Sequence, residues 1–183
     1  MSAAFALFRN RGYSETSMAQ IAKKAGVSPA NIYVYFESKL ELLFQIYSPW
    51  LQERLQRLEE EVSSLDDPET RLRLILRTLW EDIPAEENGF ANNLMQALST
   101  AQPGEGYKRD LLMQLEDQVS RMIQESLPAA RADLAEEGRL AHILFMAFDG
   151  FAMNFKLRGA SERIDELIDL MIALLLGRSA PQI

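Results

Sequence analysis

Cysteine is absent from the 183 residues, so neither a disulfide nor a thiolate metal site can form. Histidine occurs once, as His142, in a helical apolar run. A lone imidazole does not make a zinc site, so His142 reads as a packed or capping side chain, and no metal or cofactor is expected. No run of 18 uncharged apolar residues occurs, so no membrane span is expected. The opening MSAAFALF has no basic segment followed by a long apolar one, which excludes a signal peptide and points to a cytoplasmic protein. Strand-period alternation, internal repeats and low-complexity runs are missing. So are a nucleophile triad, a carboxylate pair at a recognisable spacing and a phosphate loop. An enzyme or small-molecule carrier is therefore the poorest reading.

What is present is helical periodicity, and its most specific stretch runs from Gly12 to Lys39, GYSETSMAQIAKKAGVSPANIYVYFESK. Ser17-Met-Ala-Gln20 fits a capping box, with Thr16 or Ser17 as the N-cap. Ile21, Ala22 and Ala25 recur at helical spacing and form an apolar face. Gly26 stands where a helix ends in a left-handed residue, and Val27 is expected to plug the turn. Ser28 caps the next helix, and Pro29 occupies its first position, where a missing N–H costs nothing. Ile32 and Phe36 would bury the inner side of a helix running from Pro29 to Phe36. The pattern is a helix-turn-helix whose second helix is built to enter a DNA major groove.

Helical geometry assigns roles on that second helix. At about 100° per residue, burying Ile32 and Phe36 points Ala30 and Val34 outward, flanked by Asn31 and Tyr33. Asn31 suits a bidentate contact to adenine, and Ala30 and Val34 suit thymine methyl groups. Tyr35 lies nearer the inner side and is expected to cover the domain core.

Four blocks in order resemble the DNA-binding domain of TetR-type transcriptional regulators. They are Ala4-Phe5-Ala6-Leu7-Phe8 with Gly12-Tyr13; Thr16-Ser17-Met18 with Ile21-Ala22; Ala25-Gly26-Val27-Ser28; and Ile32-Tyr33-Val34-Tyr35-Phe36 with Ser38-Lys39. The resemblance implies an all-α protein of about nine helices. A three-helix helix-turn-helix domain at 1–47 would precede a helical ligand-binding and dimerisation body at 48–183. It also implies that Tyr33, Lys39 and the Thr16/Ser17 helix start bind backbone phosphates, contacts that fix register without reading sequence. Ser28 and Pro29 belong to the same DNA-facing turn. The chain departs from many relatives at Ala30, Val34 and Glu37, where those relatives carry Gly, a polar or basic residue, and a basic residue. Glu37 is expected to weaken phosphate binding. Relatives carry several basic residues before the Ala-Ala-x-x-Leu-Phe block, so either the protein is naturally short or its start has been trimmed or left out, the second being expected.

Net charge is −8, which at first sight disfavours DNA. Residues 1–47, however, carry five basic and three acidic side chains, a net +2, and the remainder carries −10. A weakly positive head calls for two heads acting together and for binding that falls steeply with salt.

Beyond Phe36, Ser38-Lys-Leu-Glu41 reads as another capping box. It opens a long helix with a buried stripe of Leu40, Leu43, Phe44, Tyr47, Leu51, Leu55, Leu58 and Val62. Pro49 would kink this helix or separate two helices. Asp67-Pro68-Glu69 starts a further helix through Trp80, and Pro84 with Glu86-Glu87 marks a loop. A short segment from about Gly89 to Thr100 follows, then a break at Pro103-Gly104. A helix carrying Leu111, Leu115, Val119, Met122 and Ser126 ends at Pro128.

The last two helices are apolar on more than one side. The first spans about Leu140 to Leu157, and the second is capped by Ser161-Glu162 and runs through Leu167–Leu176. One chain buries one face of each; a second copy would bury the other, in a four-helix bundle like the TetR-type dimer interface. Phe148, Phe151, Phe155, Leu167, Met171 and Leu175 are the expected interface residues. Gly150 would allow close helix approach or make an ordinary core contact. Such a homodimer would read a palindromic double-stranded operator. The resemblance further implies a small-molecule effector. Trp50, Trp80, Phe90, Met95, Met122, Phe145, Met146 and Met153 offer an adaptable apolar lining, so the effector is expected to be apolar or amphipathic. Arg121 and Arg158 would pair an anionic one. The function expected is a repressor released from its operator by that effector; the alternative is a constitutive or nucleoid-associated DNA-binding protein.

Overall fold

The computed structural model describes residues 1–100, 109–158 and 162–179. Among them there is no strand and there are ten α-helical segments. These are α1 (Ser2–Arg11), α2 (Met18–Ala25), α3 (Pro29–Tyr33), α4 (Lys39–Ser63) and α5 (Pro68–Arg77), followed after a π-turn (Thr78–Asp82) by α6 (Ile83–Ala85). Then come α7 (Phe90–Leu98), α8 (Arg109–Ser126), a 3-10 stretch (Ala129–Gly138), α9 (Arg139–Arg158) and α10 (Ile164–Leu176). Two compact units result. The first holds Met1–Leu51 and α7; the second holds Gln52–Ala85 with α8 from Leu112 onward, α9 and α10. The expected break at Pro103-Gly104 and the Ser161 cap lie outside the described residues, as do the side chains of Leu111, Leu157 and Arg158.

Local chemistry starts α2 and α3. Ser17, not Thr16, caps α2: its hydroxyl accepts from the Gln20 amide and the Gln20 side chain accepts from the Ser17 amide, a complete capping box. Ser28 accepts from the Asn31 amide at 3.2 Å, with Pro29 at the first position of α3. Gly26 ends α2 at φ 71°, a left-handed conformation that most residues with a Cβ avoid. α3 is shorter than the sequence suggests. Its regular part ends at Tyr33, but the Phe36 amide still bonds to the Ile32 carbonyl, so a turn carries the chain onward. Ile32 is buried and Phe36 half-buried, while Ala25 is exposed and Val27 does not plug the turn. The core consists of Leu7, Phe8, Ile21, Ile32, Leu40, Leu43 and Tyr47, with Phe90 and Leu94 of α7.

Pro49 lies inside one continuous helix, so it does not separate two helices. Pro84 also stays helical rather than opening a loop, and the turn before it explains how. A proline ring clashes with the carbonyl four residues back, here Trp80, and the widened π-turn at Thr78–Asp82 relieves that clash. Asp67 caps α5 through the Thr70 amide at 2.8 Å, as its sequence implies. In the second unit α5 faces α10 across ion pairs: Arg73 with Asp169 at 2.6 Å, and Arg77 with Asp165. α10 begins at Ile164 after Arg163, whose side chain makes no cap hydrogen bond.

Candidate nucleic-acid interface

The outward side of α3 carries almost no charge. Ala30, Asn31, Tyr33 and Val34 are exposed, Val34 by 74%. Neither the Asn31 nor the Tyr33 side chain is hydrogen-bonded within the described residues, so the Asn31 amide is free to face a base edge. Tyr35 corrects the sequence reading: it is 74% exposed and does not cover the core. Because α3 stops at Tyr33, extrapolating its inner side to Tyr35 fails. The ring instead borders an apolar groove of about 320 Å³ together with Val27 and Asn31. A third hydroxyl-bearing or amide side chain thus joins Asn31 and Tyr33 on this surface.

On α1 and α2, Arg9, Arg11, Lys23 and Lys24 are exposed and make no ion pair among the described residues. Lys39 has a different setting. Its half-buried ammonium donates to the Tyr13 and Thr16 carbonyls, each at 2.9 Å, and sits 4.0 Å over the Tyr13 ring. Burial lowers its pKa below the ordinary lysine value. Two of its three donors are therefore spent on the loop between α1 and α2, leaving one for a phosphate. The Thr16 side chain is unavailable to DNA: it is buried and its hydroxyl donates to the Gly12 carbonyl at 2.8 Å. Ser17 and Ser28 are exposed caps at the amino ends of α2 and α3, where amide groups and the helix dipole favour an anion.

Residues 1–46 match the family described as bacterial regulatory proteins, tetR family. The match to the TetR family covers those residues. Over 88 residues it is 25% identical to the fatty acid metabolism regulator protein of Bacillus subtilis (strain 168), covering 48% of this chain and 45% of that relative. The chain spans between 28% and 56% of the length of the first curated relatives it matches. Among solved structures, the regulator FadR from Bacillus subtilis in complex with stearoyl-CoA aligns with a TM-score of 0.63 at 18% identity, covering 99% of this chain and 97% of that one. Thermus thermophilus FadR in complex with lauroyl-CoA aligns with a TM-score of 0.63 at 23% identity, covering 100% and 96%. At these identities the likeness establishes a TetR-type all-α fold.

The residues expected to line an effector site are distributed unevenly. Trp50, Phe90 and Met95 fall in the first unit, where the Trp50 and Phe90 rings lie 5.2 Å apart. Trp80, Met122, Phe145 and Met146 fall in the second. There Trp80 stacks on Phe151 at 4.8 Å and donates its indole N–H to the Leu144 carbonyl at 3.2 Å. Met122 is fully buried as a core side chain, whereas Met146 and Met153 point to solvent, contrary to a pocket-lining role. A groove of about 330 Å³ beside α8 is polar instead, lined by Gln52, Gln114, Asp117, Gln118 and Arg121. His142 is exposed, not packed or capping, and its Nδ1 lies 2.9 Å from Glu116.

The expected interface residues also need correction. Phe148 and Leu175 are buried inside the chain, and Phe151 stacks on Trp80, so these are core positions. Leu167 is exposed as expected, and the exposed apolar stripes comprise Ile143, Met146 and Met153 on α9, and Leu167, Leu170 and Leu174 on α10. Both keep three- and four-residue spacing, as the faces of packed helices do. Gly150 lies on the α9 stripe with nothing within 4 Å of its missing Cβ, so it makes no core contact. Among the described residues, no helix is long and apolar enough to cross a membrane.

Proposed function

We propose that this chain is a transcriptional repressor, a homodimer that holds a palindromic operator through two α3 helices and lets go when a small amphipathic effector binds. The observation that carries the reading is the free, uncharged surface of α3 and the turn after it, where Asn31 and Tyr33, then Val34 and Tyr35, are exposed, while the start of α3 is capped and Ile32 is buried. Such a surface suits base edges and thymine methyl groups, and the exposed cations of α1 and α2 suit the phosphates. In this reading residues 1–47 form the head and 48–183 the body. Asn31 with Ala30 and Val34 reads bases. Ser17, Ser28, Tyr33, Tyr35 and the remaining Lys39 donor hold the backbone.

Dimerisation in this reading uses the exposed stripes of α9 and α10, which a second copy related by a two-fold axis would cover. The effector is assigned to the acyl-CoA class. Support comes from the likeness to two regulators solved with stearoyl-CoA and lauroyl-CoA. Effector binding releases DNA by favouring a head arrangement that no longer fits two half-sites. Selection from a randomised duplex pool with purified protein tests this, followed by addition of lauroyl-CoA or stearoyl-CoA. A palindromic sequence that is enriched and then released supports the reading. A pool without enrichment overturns it, and an enriched duplex that neither thioester releases overturns the effector assignment.

A further inference from the structure

Helix α7 belongs to the same compact unit as the helix-turn-helix, and polar side chains make the connection. Asn93 is completely buried. Its Nδ2 lies 3.2 Å from the Phe8 carbonyl in the last turn of α1, 2.8 Å from the Gly89 carbonyl and 3.2 Å from the Tyr47 hydroxyl. That hydroxyl donates onward to the Asn88 carbonyl at 2.9 Å. One turn along α7, the Gln96 Oε1 accepts from the Ser14 amide at 2.9 Å. Gly12, at φ +85°, admits the Gln96 amide so closely that a Cβ there would sit 2.9 Å from Oε1.

The loop from Gly12 to Thr16 is thus pinned from two sides. Lys39 takes the Tyr13 and Thr16 carbonyls, the Thr16 hydroxyl takes the Gly12 carbonyl, and Gln96 takes the Ser14 amide. This loop delivers the chain to Ser17, the cap of α2. We infer that Gln96 is a positioning residue for DNA binding: by holding Ser14 it fixes the amino end of α2 against the phosphate backbone, which makes α7 a working part of the DNA-binding unit. A shift of α7 by the length of one hydrogen bond frees the loop and is read directly at the DNA surface. The inference rests on the repressor reading for its DNA ligand, but the pinned loop itself does not.

Two near-isosteric variants of the full-length protein test it. Gln96→Met keeps the side-chain length and removes the acceptor; Gln96→Glu keeps the acceptor. Gln96→Met is expected to bind the selected operator about tenfold more weakly, one hydrogen bond being lost in each of two heads. Its Tm and sedimentation are expected to stay unchanged, with the Ser14 amide exchanging faster with solvent. Gln96→Glu is expected to restore slow Ser14 exchange and most of the affinity. Equal affinity in Gln96→Met and the unaltered protein overturns the inference, as does equal weakening in both variants or a loss of affinity that merely tracks Tm. If the unaltered protein binds no duplex, the repressor reading falls and the DNA role of Gln96 with it. The exchange rates then still report whether the loop is pinned.

Discussion

At Asn31 the account depends on one amide group. The backbone N–H of Asn31 is committed to the Ser28 cap, while its side chain stays free on the outward side of α3. Asn31→Ala is expected to cost about 1–3 kcal/mol at a single operator position and to leave the others alone, measured by binding to operators altered one base pair at a time. Tyr35→Ala is expected to weaken all duplexes alike, because a phosphate contact carries no sequence information. Tyr47 gives a pH dependence. Burial raises its pKa above 10.0, so the folded state favours the neutral phenol. Its stabilising contribution is complete below that value and falls as pH rises through it, so melting temperature should drop in alkali, less steeply in Tyr47→Phe. Ser17, Ser28 and Asp67 are legible in the sequence because capping is a contact over three residues. Gln96 with Ser14 is not, since 82 residues separate the partners and no local pattern marks the pair.

Single helices were readable in existence and type, and less so in register. The two-faced character of α9 and α10 follows from composition, yet which face is inward does not. When apolar residues surround a helix, Leu174 and Leu175 look equivalent in sequence, though about 100° apart in space. The structure separates them: Leu174 is 55% exposed and Leu175 is buried. Leu174→Glu is therefore expected to give folded monomers in sedimentation with nearly unchanged helical content. Leu175→Asp should unfold the second unit, because a carboxylate there would be buried without a partner. If Leu174→Glu remains dimeric, the α9–α10 stripe is not the interface. Tyr35 was misplaced for a related reason: periodicity assumes that a helix continues, and α3 stops at Tyr33.

For the molecule as a whole, charge is divided between a head of +2 and a remainder of −10. An acidic bulk disfavours DNA everywhere except at the head, so in the proposed repressor affinity would come from two weakly cationic heads engaging one duplex together. Net charge alone hides this; the division along the chain shows it. The most direct test is equilibrium binding of the purified full-length protein to its selected palindromic duplex over a range of salt concentrations. The account predicts two chains per duplex and an affinity falling linearly on a log–log plot, with a slope near 0.9 per phosphate contacted. Binding that ignores salt, a single chain per duplex, or no binding to any duplex would contradict it.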